Sequence, residues 1–160
     1  MNSIEATKIF DLTLDWDRKR PTPPQESHDN PLEVNVLGMS RSAAAKALQK
    51  ATALARGLNA RLHIAVAQEV SYAVPLDNPP VNVEFEEQSV CRLAENCGVE
   101  ARIDILLCRD AEETFARRLA PHSVALIGTR RDWWPWREKR LARRLRGLGH
   151  EVIVIDGKGK

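Results

Sequence analysis

The sequence of 160 residues has few cysteines and no long apolar run. Its three cysteines lack the Cys-x-x-Cys spacing of a metal site, and an odd number argues against a disulfide framework. No apolar stretch approaches the roughly 18 residues that a transmembrane helix needs. Residues 1–20 contain no apolar signal-peptide core and carry acidic residues early. We therefore expect a cytoplasmic protein without a metal site or a membrane span.

Motifs of known catalytic sites are also missing. The sequence contains no Gly-x-Gly-x-x-Gly motif and no P-loop. Its four histidines are far apart and none has a partner at metal-ligand spacing. His63 lies in a strand pattern and is interpreted as a core or strand-end histidine. Although Ser123 adjoins His122, no acid completes a recognisable nucleophilic triad. The sequence therefore predicts a protein that is not an enzyme, with weak ATPase activity left open.

The composition is that of one globular domain with an N-terminal extension. Hydrophobic residues make up 43% and charged residues 29%, and the net charge of +2 predicts no partner by itself. Residues 1–31 form the extension, which ends in a proline-rich linker, residues 32–157 form the domain, and 158–160 are a tail. Phe10, Leu12, Leu14 and Trp16 alternate with polar residues. This period of two predicts a short strand that pairs with an edge of the main sheet or with another molecule.

From residue 33 onward, strand patterns and helix patterns alternate. The helix patterns bury one apolar stripe each and end at glycine, asparagine or proline. Short connections between the elements favour a parallel sheet with helices on both faces, a doubly wound α/β fold. The five predicted strands occupy residues 33–38, 60–66, 99–108, 123–129 and 151–156.

Three segments, residues 34–67, 123–131 and 148–156, resemble the universal stress protein family. They hold a first strand followed by a serine-capped, alanine-rich helix and the strand ARLHIAVA, then an ALIGTR strand end, then a closing strand after a glycine corner. The resemblance spans roughly three-quarters of the chain and implies a Rossmann-like, adenine nucleotide alpha hydrolase-like domain. We expect its five parallel strands in the order 3-2-1-4-5. The resemblance also implies a homodimer through the last strand, here Val152, Ile153, Val154 and Ile155.

Members of that family that bind ATP have an aspartate, a small residue and a serine after the first strand. In this sequence Gly38 or Met39 stands at the place of the aspartate, and Ser40 remains. Glycine and serine are suited to a phosphate site because they let backbone N–H groups and a hydroxyl approach the phosphate oxygens.

The same members carry a Gly-x-x-Gly-x(9)-Gly-Ser/Thr loop after the fourth strand. Gly128 and Thr129 match its start, but Arg131 replaces the second glycine, Leu141 the third, and Ala142 the hydroxyl residue. The chain therefore resembles a divergent member that lacks the ATP-binding glycine motif. We expect no cofactor, with ATP as the alternative.

Any ligand is expected where the strand order reverses, between the carboxyl ends of strands one and four. Asp104 and Asp110 flank the end of strand three and could also touch a ligand, although helix capping explains them equally well. Arginine can bind phosphate by charge, so the arginines after strand four could replace the glycine loop. The candidate ligand residues are Gly38, Met39, Ser40, Arg41, Gly128, Thr129, Arg130 and Arg131.

Residues 130–146 are strongly basic and contain three of the four tryptophans. Eight basic residues stand against two acidic ones in this segment. It can be a solvated helix face with arginine stems over apolar surface, a partner surface with tryptophan anchors, or a site for nucleic acid or another polyanion. The candidate partner surface comprises Trp133, Trp134, Trp136, Arg137, Arg140 and Arg144.

These observations predict a non-enzymatic stress-response or regulatory module that is similar to universal stress proteins. It would act through dimerisation and an unidentified protein partner, with a degenerate nucleotide pocket. One alternative is an ATP-binding protein that uses Arg130 and Arg131 in place of the glycine loop. The other is a protein that binds nucleic acid or polyanions through residues 130–146.

Overall fold

The computed structural model describes residues 4–10, 32–76, 82–98, 101–129 and 135–156, with the backbone alone for 4–10. Six strands and four helices lie along these residues, and they alternate from the second strand onward. The strands are β1 (Ile4–Phe10), β2 (Glu33–Gly38), β3 (Arg61–Glu69), β4 (Ala101–Cys108), β5 (Val124–Gly128) and β6 (Glu151–Ile155). The helices are α1 (Arg41–Leu58), α2 (Val83–Glu95), α3 (Ala111–Arg118) and α4 (Trp136–Gly147).

All six strands form one sheet in the order β1-β4-β3-β2-β5-β6. Every neighbouring pair is parallel. The five strands from β2 to β6 follow the order 3-2-1-4-5, so the predicted fold class and strand order are confirmed. No helix in the described ranges is long and apolar enough to cross a membrane.

The N-terminal strand β1 was not predicted from the sequence, and it shares only Phe10 with the predicted strand. β1 ends at Phe10, so the alternating residues Leu12, Leu14 and Trp16 lie outside the described residues. β1 itself pairs with β4 at the edge of the sheet. The proline-rich linker and the C-terminal tail also fall outside the described ranges.

Helices cover the sheet on both faces, which gives the protein two hydrophobic cores. Helices α1 and α2 pack on one face, where Val36, Ile64 and Ile103 point from the central strands. Helices α3 and α4 pack on the other face, where Phe115 and Leu141 meet the strands. The carboxyl ends of all the strands consequently lie along one side of the sheet, between the two helical layers. We call this side the carboxyl edge.

Helix α1 lies against the carboxyl ends of β2 and β5. It begins after Ser40, whose side chain accepts a hydrogen bond from the Ala43 N–H at 3.3 Å, and it ends at Asn59 in the left-handed conformation (φ 51°). A stripe of small residues lets the helix approach the sheet closely. Its buried members include Ala43, Ala44, Ala47, Ala51 and Ala55.

Candidate functional site

The predicted ligand residues of the first and fourth predicted strands come together at the carboxyl edge. β2 pairs directly with β5, so Gly38 and Gly128 end neighbouring strands. Met39 and Ser40 follow β2, and Met39 packs partly buried against the core below α3 and α4. Arg130 and Arg131 lie outside the described residues.

Both glycines at this edge are required by the packing of α1. A Cβ at Gly128 would lie 1.8 Å from the carbonyl oxygen of Ala43, inside the backbone of the helix. A Cβ at Gly38 would lie 2.8 Å from the Ala44 Cβ and 2.8 Å from the Ser40 carbonyl oxygen. Each glycine therefore has a packing role that does not depend on a phosphate.

The hydroxyl groups at the same edge are engaged in local structure. Thr129 is 2% exposed, and its N–H and its hydroxyl both donate to the Ile155 carbonyl oxygen, at 3.0 and 3.2 Å. The Ser40 hydroxyl accepts from the Ala43 N–H and lies 3.2 Å from the Ser42 hydroxyl. The Thr129 contacts join β5 to β6, and the Ser40 contact caps α1. Both hydroxyls at this edge therefore already have hydrogen-bond partners within the protein.

Among the described residues, two cations flank this edge, and of these two Arg41 was predicted and Lys46 was not. Arg41 stacks on Phe85, with 5.5 Å from its guanidinium carbon to the ring centroid, and pairs with Glu86 at 3.9 Å, so it contacts α2. Lys46 donates from Nζ to the Thr129 carbonyl oxygen at 3.2 Å. Sequence reasoning missed Lys46. The sequence did contain an indication of this role. Lys46 lies among the buried alanines of α1, so its long side chain has to extend past the helix toward the ends of the strands.

The arginines predicted as a partner surface are paired with acidic side chains. Arg140 Nε donates to both carboxylate oxygens of Glu112, at 2.8 and 2.9 Å, and Glu112 is only 5% exposed. Arg137 meets Glu69 at 2.5 Å, and Arg144 meets Glu113 at 2.6 Å. Arg137, Arg140 and Arg144 thus join α4 to α3 and to the end of β3.

These ion pairs shift the acid–base equilibria in the directions that strengthen them. The hydrogen bond from Arg144 is the main reason why the pKa of the Glu113 carboxyl is lowered, and Arg117 adds to it. The hydrogen bond to Glu69 likewise raises the pKa of Arg137. Both shifts favour the charged forms of Glu113 and Arg137, which strengthens the two salt bridges.

Trp136 is exposed on the predicted partner surface, together with Arg140 and Arg144. Its side chain is 49% exposed, and the guanidinium of Arg140 lies 4.8 Å from its ring centroid. Lys139 and Arg143 are also exposed on α4. Trp133 and Trp134 lie outside the described ranges.

A buried polar network crosses three strands on the α3 and α4 side of the sheet. His63 Nδ1 lies 2.8 Å from Asn35 Oδ1, and His63 Nε2 lies 2.7 Å from Asp104 Oδ2. The Asn35 amide donates to the Val124 carbonyl oxygen at 3.1 Å, which turns its own oxygen toward His63. Asn35, His63 and Asp104 are between 3% and 7% exposed. The predicted interpretation of His63 as a core histidine is correct.

The charge of Asp104 is stabilised inside this network. Burial raises the pKa of its carboxyl, but the hydrogen bond and charge of His63 and the charges of Arg102 and Arg118 outweigh burial and lower it. Oδ1 of Asp104 has no hydrogen-bond partner in the described structure. Asp104 is therefore a buried carboxylate hydrogen-bonded to His63, whereas Asp110 caps α3 by accepting the Glu113 N–H at 2.9 Å.

The second histidine cluster supports the backbone at the amino ends of β5 and β6. His150 Nδ1 accepts the Ser123 backbone N–H at 3.3 Å and lies 3.1 Å from the Ser123 hydroxyl. Burial and the nearby charge of His122 lower the pKa of His150. Because Nδ1 is occupied by a backbone N–H, the ring acts as a structural acceptor at this corner. Within the described ranges, no group of three or more histidine, cysteine or acidic side chains could hold a metal ion.

The fold is similar to those of solved structures whose sequences are only distantly similar to this one. No protein-family model and no curated protein matches the sequence. A universal stress protein in complex with cAMP matches with a TM-score of 0.52 and 15% identity, over 79% of this chain and 98% of that chain. A universal stress protein from Archaeoglobus fulgidus matches with a TM-score of 0.50 and 13% identity, over 79% and 94%. The chain has the universal stress protein fold, and the predicted resemblance is confirmed at that level.

Proposed function

We propose that this chain, which has the universal stress protein fold, is a non-enzymatic regulatory module that acts as a homodimer through a protein partner. Its nucleotide pocket is degenerate. The proposal includes a role in a stress response, which the similarity of fold supports.

The observation that carries the proposal is the state of the carboxyl edge between β2 and β5. A phosphate site needs backbone N–H groups, hydroxyls and open space at a helix N-terminus. Here the Thr129 N–H and hydroxyl donate to Ile155, and the Ser40 hydroxyl caps α1. The Cβ positions of Gly38 and Gly128 are filled by α1. Groups that the resemblance assigns to phosphate binding are used for packing.

The open edge of β6 supports the dimer. Among the described residues, β6 pairs with β5 alone, and Ile153 is 37% exposed. An apolar edge strand with unpaired backbone groups is a template for pairing with another strand. A second β6 related by a two-fold axis satisfies both edges at once.

The amino end of α4 is the surface that we assign to the protein partner. The ion pairs of Arg140 and Arg144 join α4 to α3, and that of Arg137 joins it to the end of β3. The guanidinium of Arg140 stacks on the ring of Trp136. A half-exposed tryptophan held by its neighbours loses little side-chain entropy on binding, and tryptophan and arginine are the residues most enriched at binding hot spots.

Nucleotide binding is the second candidate, because Lys46 supplies a cation at the same edge. One structural neighbour is a universal stress protein in complex with cAMP, which makes cAMP and ATP the ligands to test. In this candidate, Lys46 acts together with Arg130 and Arg131.

Calorimetric titration with ATP, with and without Mg²⁺, and with cAMP separates the two candidates. The proposal predicts no saturable heat for the unmodified protein and no ATP turnover. Stoichiometric binding that is lost in Lys46→Ala or in Arg130→Ala with Arg131→Ala would establish the nucleotide candidate instead. Lys50→Ala is the matched control, because Lys50 is an exposed lysine of the same helix, one turn beyond Lys46.

Nucleic-acid binding through residues 130–146 is weakened as an alternative by the ion pairs. Three of the arginines in this segment already face Glu69, Glu112 and Glu113. Among the basic residues of this segment that the structure describes, Lys139 and Arg143 remain exposed, and Arg146 donates to the Val152 carbonyl oxygen. Binding of an oligonucleotide that falls steeply with added salt would restore this alternative.

A further inference from the structure

The five-stranded core of the sheet has two edge strands, and only one of them is covered by a further strand in the described part of the chain. An edge strand presents backbone N–H and C=O groups that pair readily with a further strand. In the five-stranded order 3-2-1-4-5, the edge strands are β4 and β6. Here β1 lies outside β4, so β4 becomes an interior strand, while β6 has no second neighbour in the described part of the chain.

β1 pairs with β4 along nearly its whole length. The parallel register runs without a break from Ile4 opposite Ala101 to Phe10 opposite Leu107. β4 has eight residues, so Cys108 is the one residue of that strand without a partner in β1. All of its side chains except that of Arg102 are buried.

We infer that β1 is an edge cap: it fills a strand-docking site on β4 and thereby restricts self-assembly to the β6 edge. A subunit with two self-pairing edges propagates from copy to copy into an open array. A subunit with one such edge stops at a closed dimer. The occupant that β1 excludes is the β4 strand of a second copy, which would pair in the antiparallel direction about a two-fold axis.

β4 needs such a cap more than β6 does. Its sequence, ARIDILLC, is longer than β6 and mostly apolar, and its two charged side chains lie on the same face, where Asp104 is bound to His63 and Arg102 contacts that carboxylate. β6 has five residues and is bounded by the exposed acids Glu151 and Asp156. Because the two charges of β4 are engaged with each other and with His63, they do little to oppose pairing with another strand. A long apolar edge strand of this kind is a site of uncontrolled association.

The inference rests in part on the proposed dimer through β6, and the experiment keeps the two apart. The test variant is Thr7→Pro with Lys8→Pro in the full chain. Alternate residues of an edge strand turn their N–H toward the neighbour, and proline has none, so one of two adjacent prolines must remove a ladder bond. Thr7→Ala with Lys8→Ala keeps both N–H groups and is the control. Light scattering after size-exclusion chromatography gives the mass from micromolar to hundreds of micromolar protein.

We expect a constant dimer mass for the unmodified protein and for the alanine control. The proline variant should exceed a dimer and grow with concentration. Adding Ile153→Lys to the proline variant closes the β6 edge by charge and should stop growth at a dimer. A folded proline variant with the same mass as the unmodified protein contradicts the edge cap. A monomeric unmodified protein would contradict the proposed dimer through β6. In that case the edge-cap inference predicts that the proline variant forms a dimer through β4, and a monomeric variant would contradict it.

A peptide of residues 1–10 separates edge exposure from loss of folding. An excess of this peptide should return the proline variant to the mass of the unmodified protein by occupying β4, and the peptide with the two prolines should not. Far-UV circular dichroism reports whether the variant is folded. Growth that persists with the peptide arises from unfolding, and it overturns the inference.

Discussion

At the scale of single residues, the buried carboxylate of Asp104 links stability to pH. Its pKa is lower in the folded protein than in the unfolded chain. The unfolded chain therefore binds the proton first as the pH falls. The stabilisation by this carboxylate is complete above the unfolded pKa of about 3.9 and is lost as the pH falls through the folded pKa.

Asp104→Asn should therefore destabilise the protein near neutral pH and much less in acid. A hydrogen bond to a charged group contributes about 1.5–3 kcal/mol, and asparagine removes the charged acceptor that His63 contacts. We expect a loss of that order in urea unfolding at pH 7. It shrinks below about pH 4, where the unfolded chain takes up the proton, and it disappears once the pH is below the folded pKa. Asp156→Asn, at an exposed position, is the control. Equal losses at both pH values would mean that the charge of Asp104 does not stabilise the fold.

At this scale, the sequence did not predict which residues far apart in the chain are in contact. His63 and Asp104 are 41 positions apart, and their contact depends on the register of β3 with β4. Lys46 reaches Thr129 only because α1 crosses the end of β5. By contrast, Ser40 and Asp110 were readable as caps, because a cap and its partner are neighbours in sequence.

At the scale of elements, the packing of α1 on β5 fixes the carboxyl edge. Gly128→Ala forces a Cβ to within 1.8 Å of the Ala43 carbonyl oxygen, where backbone must move. We expect a loss of about 3 kcal/mol or more in the free energy of unfolding, or failure to fold, as is typical of overpacked core sites.

Gly57→Ala is the matched substitution within α1. A Cβ at Gly57 meets nothing within 4 Å, and Gly57 lies inside the helix. Alanine should therefore stabilise the protein by about 0.5–1 kcal/mol, since it has the higher helix propensity. Urea unfolding measures both variants. If Gly128→Ala were as mild as Gly57→Ala, the close contact of α1 with β5 would be wrong.

The elements themselves were predictable, but their cross-connections were not. The alternation of strand and helix patterns identified β2 to β6 because each helix buries a stripe and each central strand is apolar throughout. The basic stripe on α4 was also visible, yet sequence offers no sign that Glu112 and Glu113 of α3 face it. Those pairs depend on how two helices pack, which local periodicity does not specify.

At the scale of the whole molecule, the proposed dimer depends on the β6 edge strand. We predict that Ile153→Lys converts a dimer to a monomer, because a charge at the centre of an apolar edge strand opposes pairing with a second copy. Light scattering checks this, with Glu151→Lys, at the strand's exposed end, as the control. A dimer that survives Ile153→Lys would place the interface elsewhere.

The central claim is that contacts within the protein occupy the carboxyl edge of β2 and β5, where a phosphate would bind. The most direct measurement is a ¹H–¹⁵N NMR titration of the full chain with ATP and Mg²⁺, following the amides of Ser40, Arg41, Gly128 and Thr129. We predict that these four signals do not move and that the Thr129 amide, bonded to the Ile155 carbonyl, exchanges slowly with solvent with or without ATP. Saturable shifts at these amides would contradict the account and identify a working nucleotide site.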